Sequence, residues 1–200
     1  MSPELLFPLC TFAAVTSITP GPNNTMILAS GLNYGFRRSL PHLFGITCGF
    51  AFLIFCVGFG LHAVFVRFPV LQLILKYGGA LYLLWLAWKL ANAAPMRTDQ
   101  AAASRPMGFA GAAAFQWINP KAWVMGVSAM TTYLPQGFGV ADVALLSLVF
   151  GLIGTVCVGA WALFGVAMRR VLTNPRSVRV FNVVMALLLV ATLYPILTAA

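Results

Sequence analysis

Acidic side chains are almost missing from this chain: Glu4, Asp99 and Asp142 are the only three in 200 residues, against twelve lysines and arginines. Charge of either sign is scarce, at 8% of residues, where a soluble globular chain carries about a quarter. The net charge of +9 therefore reflects a shortage of acids as much as a surplus of bases, which disfavours a nucleic-acid partner. His42 and His62 are the only histidines and fall near opposite ends of one apolar stretch, too far apart to share a ligand. Cys10, Cys48, Cys56 and Cys157 form no Cys-x-x-Cys pair and read as small apolar residues, not as a disulfide framework or a metal site. A membrane thiol-electron carrier would need reactive cysteines in both halves, and the fourth apolar segment has none. Neither G-x-S-x-G nor H-E-x-x-H occurs, so an embedded hydrolase lacks its nucleophile and base. No cofactor and no metal are expected.

What the chain does have is apolar length. Hydrophobic residues make up 61% and mean hydropathy is +0.93. Uncharged stretches run over 5–36, 39–66, 122–141, 143–168 and 180–200, each about as long as the ~20 residues that cross a bilayer. The interval 70–90 is also apolar, and its cations Lys76 and Lys89 lie near its ends, where long side chains snorkel to the headgroups. The expected fold is an all-α integral membrane protein with six transmembrane helices over 4–31, 40–66, 70–92, 108–133, 141–168 and 178–199. The opening Met-Ser-Pro-Glu carries no basic region and its apolar run is too long for a signal, so the first span is expected to be retained.

Nine of the twelve cations fall in the first, third and fifth connections: Arg37 and Arg38; Lys89, Arg97 and Arg105; Arg169, Arg170, Arg176 and Arg179. Only Arg67 and Lys76 fall on the opposite side, and Lys121 lies inside a span. The positive-inside rule then puts both termini outside the cytoplasm. One transmembrane domain, 1–200, divides into a first three-helix repeat (1–94), a cytoplasmic loop (95–107) and a second repeat (108–200). With six spans and both ends outside, the two repeats have inverted topology.

Corresponding spans of such repeats are both interrupted. Span one carries Thr19-Pro20-Gly21-Pro22-Asn23-Asn24, and span four carries Asn119-Pro120-Lys121. Proline removes a backbone donor and restricts the residue before it, so helices 1 and 4 should break near mid-membrane. Freed backbone groups cannot face lipid and must line protein or a watery cavity, and paired breaks of this kind point to a transporter binding site. A simple kink would explain one isolated proline. Two breaks, each with amides and one with a cation, favour the site, since neighbouring asparagines are costly to bury without partners.

Thr19-Pro20 and Asn119-Pro120 each read as an N-cap followed by proline at the first helical position. A half-helix start presents unpaired N–H groups and a positive dipole end, and Lys121 adds a full charge, a combination suited to a carboxylate. The freed carbonyls and the side chains of Thr19, Asn23, Asn24 and Asn119 would take an ammonium. The alternative for Lys121 is a snorkelling anchor, which its mid-span position disfavours. No acid lies within a span interior, so the cargo is expected to be neutral overall, zwitterionic or weakly anionic. Gln116 and Trp117 stand within a turn of the second break and could line the cavity. Gly45 and Gly49, a G-x-x-x-G, and Gly154 among the glycines of span five read as close helix-packing positions. Whether they serve contacts within the subunit or a homodimer is not set by spacing. Trp85, Trp88, Tyr77, Tyr82 and Tyr133 read as interface belts and packing.

The two interrupted segments, with Gly35-Phe36-Arg37 after the first and Ala122 after the second, resemble the signature segments of the LysE/RhtB amino-acid exporter family. Gly78-Gly79-Ala80-Leu81-Tyr82-Leu83 resembles a third. The resemblance covers essentially the whole chain, and the stretches 17–24, 82–90 and 126–136 are most similar to the cysteine and O-acetylserine exporter branch. It implies a bacterial inner-membrane exporter in the lipid bilayer, driven by the proton gradient, with a neutral amino acid of the cysteine/O-acetylserine or the threonine/homoserine/leucine type as its small-molecule substrate; alternating access about the two breaks is the expected mechanism. Lysine-exporting members carry an acid on span two where this chain has Cys48-Gly49, a departure that argues against lysine or arginine. The remaining rival is a passive channel, because broken helices also line pores.

Overall fold

The computed structural model describes residues 3–61, 67, 69–92, 105–135, 137–172 and 174–194. His62, Arg97, most of the 95–107 connection and the chain after Tyr194 lie outside them. Every regular element among the described residues is helical: α1 (Leu6–Ile18), α2 (Pro22–Tyr34), α3 (Phe36–Cys56), α4 (Pro69–Ala91), α5 (Phe109–Phe115), α6 (Pro120–Tyr133), α7 (Val140–Val171) and α8 (Pro175–Ala191).

Proline and glycine punctuate this order as their backbones require. Pro22, Pro120 and Pro175 each open a helix, where the missing N–H would have no partner anyway. Gly35, at φ 81°, lets α2 turn directly into α3, and Gly60, at φ 106°, closes the wide turn that ends α3. These are left-handed backbones that other residues seldom adopt.

The core is laid against α7, the long central helix. Leu9 and Ala13 of α1, Phe50, Leu53 and Ile54 of α3, Ala122, Met125 and Ala129 of α6, and Leu146 and Phe150 of α7 form one buried cluster. Ile27, Leu43, Ile46, Ala112, Val158 and Ala162 form a second around α2 and α5. Helices α4 and α8 pair through a third, built on Ala80, Leu83, Ala87, Ala186 and Leu189.

Glycine sets how close the helices come. A Cβ on Gly45 would lie 2.4 Å from the Phe109 carbonyl oxygen, and one on Gly49 2.6 Å from Ala113 Cα, so α3 and α5 meet backbone to backbone. The tightest crossing was not in the G-x-x-x-G reading: Gly31 and Gly165 would each place a Cβ 2.1 Å from a carbonyl oxygen, of Ala162 and Leu28 respectively, where α2 crosses α7. Gly154 departs from its expected packing role, since a Cβ there would meet only Thr47 Cγ2, at 3.9 Å. It faces a cavity instead.

Many large apolar side chains lie on the outer surface. Phe7, Leu81, Trp88, Leu152, Val156 and Leu187 are all more than half exposed. A water-soluble monomer rarely presents so much contiguous apolar surface, whereas lipid is the solvent that accepts it. Among the described residues, Phe36–Gly60 and Val140–Arg169 are long and apolar enough to cross a bilayer unaided. An all-helical membrane protein accounts for both features.

Candidate functional site

Helix α1 stops where Pro20 can no longer donate. Thr19, driven to φ −58°, ψ 136° before the proline, gives its N–H to the Val15 carbonyl, and its hydroxyl bonds the same oxygen. Thr19 thus closes α1 and does not open α2. The N-cap of α2 is Gly21, fully extended at φ −179°, ψ −179°, and Pro22 takes the first helical position. The sequence offered two prolines, and the second is the one at the helix start. Having no side chain, Gly21 leaves the first turn of α2 uncapped.

The carbonyls freed at this break are claimed by side chains. Asn24 Nδ2 donates to the Ser17 and Thr19 oxygens, both at 2.8 Å. Lys121 Nζ reaches across from α6 and donates to the Thr19 oxygen at 2.6 Å and the Pro20 oxygen at 3.3 Å. A positive charge therefore sits at the negative end of the α1 dipole, as physics favours. That position had been reserved, from sequence, for a substrate ammonium. Gly21 is what lets the lysine in: a Cβ there would lie 2.8 Å from Lys121 Cδ and 3.2 Å from Nζ.

The second break is closed differently. After α5 the chain tightens into successive short turns, with the N–H groups of Gln116, Trp117, Ile118 and Asn119 donating three residues back. Asn119 is the N-cap of α6, its Oδ1 accepting from the Lys121 backbone N–H at 3.2 Å, and Pro120 follows at the first position. Gly79 of α4 packs on this turn, close enough that a Cβ would lie 2.6 Å from the Ile118 oxygen. The third signature segment thus abuts the second.

An amide pair joins the two breaks. Asn23 Nδ2 donates to Gln116 Oε1 at 2.8 Å, and Gln116 Nε2 donates back to Asn23 Oδ1 at 3.1 Å and to the Ala112 oxygen at 2.9 Å. Gln116 is fully buried, with Asn119 and Asn24 nearly so. Burial at such a position is tolerated because every amide has a partner.

A small cavity, about 40 Å³, opens between the breaks. Gly21, Pro22, Asn23, Asn24, Asn119 and Lys121 line it. Thr19 and Pro20 contribute carbonyls to the lysine, while Pro120 and Gln116 stand behind the wall. Trp117 is directed elsewhere, stacked edgewise on Phe52 and Trp123. The far wall is Ile46, Thr47, Phe50, Met125, Phe150 and Gly154. Among the described residues Lys121 is the sole charged one in the lining, and no carboxylate there balances it.

Thr47 is the residue that the sequence did not disclose. It is 4% exposed, lines the cavity, and its Oγ1 has no hydrogen-bond partner among the described residues. A lone threonine between Ile46 and Cys48 carries no spacing signal. Only its position across from the breaks distinguishes it.

Residues 14–192 match the LysE type translocator family. The chain is similar to the cysteine/O-acetylserine efflux proteins of Escherichia coli (strain K12) and Shigella sonnei (strain Ss046), each 36% identical over 192 residues, covering 95% of this chain and 96% of that protein. The protein of the same description from Escherichia coli O6:H1 is 35% identical over the same length. No solved structure matches. Similarity over nearly the full length, including both breaks, makes the chain a transporter and not an enzyme: it belongs to the LysE type translocator family.

Proposed function

We propose that this protein is a secondary carrier that exports small neutral amino acids, of the cysteine or O-acetylserine kind, across the bacterial inner membrane. The observation that carries the reading is the uncapped start of α2 beside Lys121, in a cavity with no acid among its described lining residues. Beyond Pro22, the backbone N–H groups of Asn23 and Asn24 belong to the first helical turn, which has no intrahelical acceptors. An ammonium has three donors, and the two carbonyls engaged by Lys121 leave one for a ligand oxygen. A substrate carboxylate at this point is held by a dipole and a charge together. The substrate's ammonium then finds Thr47 Oγ1 as an acceptor, and its short side chain meets Phe50, Met125 and Phe150. A cationic side chain would find no counter-charge. The relatives' description as cysteine/O-acetylserine efflux proteins agrees with a small, neutral cargo.

The carrier has six spans in two inverted repeats, with both termini outside the cytoplasm. The element order supports this: a pair of short helices with proline at the restart, a long helix and a further helix (α1/α2, α3, α4) is followed by the same series (α5/α6, α7, α8). Alternating access is a rocking of these halves about the breaks, with Lys121 and the Asn23–Gln116 pair as the links between them. The proton gradient drives export.

Counterflow in proteoliposomes tests the function. Vesicles loaded with unlabelled O-acetylserine, cysteine, serine, threonine, homoserine or leucine are offered the same labelled compound. Transient accumulation with O-acetylserine or cysteine is expected. Linear, unsaturable flux would make the protein a channel, and flat traces with inserted protein would remove amino-acid transport.

A further inference from the structure

A second cavity lies along the other end of α2. It has a volume of about 240 Å³ and is bounded by Thr25, Met26, Ala29, Ser30, Asn33 and Tyr34 of α2, His42 of α3, Leu86, Lys89 and Leu90 of α4, and Arg105 to Met107 before α5. The central cavity uses Asn23 and Asn24, and this one begins at the next residue. At 1.5 Å per residue its far end, at Asn33, is about 13 Å further along the helix. On α3 the two cavities are a little over one turn apart, one touched by His42 and the other by Ile46 and Thr47.

His42 is 3% exposed, and neither Nδ1 nor Nε2 has a hydrogen-bond partner among the described residues. A buried imidazole left without partners carries an uncompensated desolvation cost, so a donor or acceptor beyond the described residues fits there. Lys89 and Arg105 stand at the exposed rim of the same cavity, with Lys89 Nζ 5.2 Å from the Trp85 ring centroid. No acid lines it. Two rim cations and a deep unpartnered imidazole form a funnel for an anionic group. Asn33 Oδ1 and the Tyr34 hydroxyl supply neutral acceptors for an accompanying ammonium.

We propose that this cavity is a second binding subsite, which takes the carboxylate of the amino-acid cargo on His42 below Lys89 and Arg105 before it passes to the central cavity. The inference rests on the export reading, in which the face bearing Arg37, Arg38, Lys89 and Arg105 is cytoplasmic. Cargo is collected there from dilute solution by the rim charges. Buried Ile27, Leu43 and Ile46 belong to the packed cluster where the two cavities adjoin, so passage needs the halves to move. The outer subsite would hold cargo while the inner one is closed.

Equilibrium binding of labelled O-acetylserine to the full chain in nanodiscs, in mildly acidic buffer, tests this. Wild type is expected to bind in two phases. Lys121→Ala should abolish one phase and leave the other, which acetate displaces and ethanolamine does not. His42→Leu should abolish that remaining phase. Should His42→Leu fail to insert, the exposed-rim pair Lys89→Ala and Arg105→Gln carries the same test, weakening the outer phase at least fivefold. In sided vesicles the rim pair should raise KM several-fold at the cation-rich face alone. A single binding phase that Lys121→Ala removes entirely, or a KM change equal at both faces, would overturn the proposal. Loss of counterflow in wild type with both phases intact would instead strike the export reading and leave the subsite standing.

Discussion

The interruptions at 19–21 and 116–119 restart their helices with the same residue, proline, yet satisfy their backbones in opposite ways. The second is self-sufficient: short turns use its own N–H groups, and Asn119 caps the helix that follows. The first is dependent, with its carbonyls held by Asn24 and by Lys121 from the other break, and the N-cap of its new helix, Gly21, has no side chain to cap it. One break is therefore a fixed prop and the other an open socket. A ligand site needs such asymmetry, because a helix end already satisfied by its own chain has nothing to offer a carboxylate.

Removing the prop's cation should have the largest effect. Lys121→Ala leaves the Thr19 and Pro20 oxygens without their charged partner and is expected to lower counterflow kcat/KM by about 100-fold or more. Asn24→Ala strips the Ser17 oxygen of its partner and the Thr19 oxygen of its second one, and should cost about 10- to 30-fold in the same assay. If the two breaks were equivalent, Asn119→Ala would match it. Instead, Asn119→Ala loses only a local cap, and a destabilisation of about 1 kcal/mol in thermal unfolding is expected with little change in apparent substrate affinity. Between these lies the amide bridge: Asn23→Ala, Gln116→Ala and the double variant should give a coupling of about 1 kcal/mol in a double-mutant cycle on transport. Additive single effects would mean that the two breaks move independently. The smallest effect is expected at Gly154→Ala, where the new methyl has open space, whereas Gly154→Phe should block uptake by filling the cavity without loss of folded protein.

The unequal pair explains what could be read in advance. Pro20, Pro22 and Pro120 announced that helices stop, because a missing N–H and a fixed φ are properties of the residue itself. Asn23, Asn24 and Lys121 announced a polar site, because amides and a cation in an apolar stretch need partners wherever the chain goes. The identity of those partners was not legible. Thr19 was read as the cap of the second helix and instead closes the first, since both prolines are compatible with a restart and only packing selects Pro22. Lys121 was assigned to a ligand and is shared with the carbonyls of residues about a hundred positions away. Gly31 and Gly165 escaped notice because they sit on different helices and form no motif until those helices cross.

By itself, then, the sequence determined the solvent and the class, and it marked prolines at which helices begin. Scarce charge and long apolar runs commit a chain to lipid, and proline acts within a few residues of itself, so both are local or compositional facts. The tertiary structure alone decided which helix end remains open, where Lys121 points, and that His42 and Thr47 line cavities without partners among the described residues. Those are relations between segments far apart in the chain, set by how helices pack, and a hydrogen bond depends on a distance that sequence does not encode.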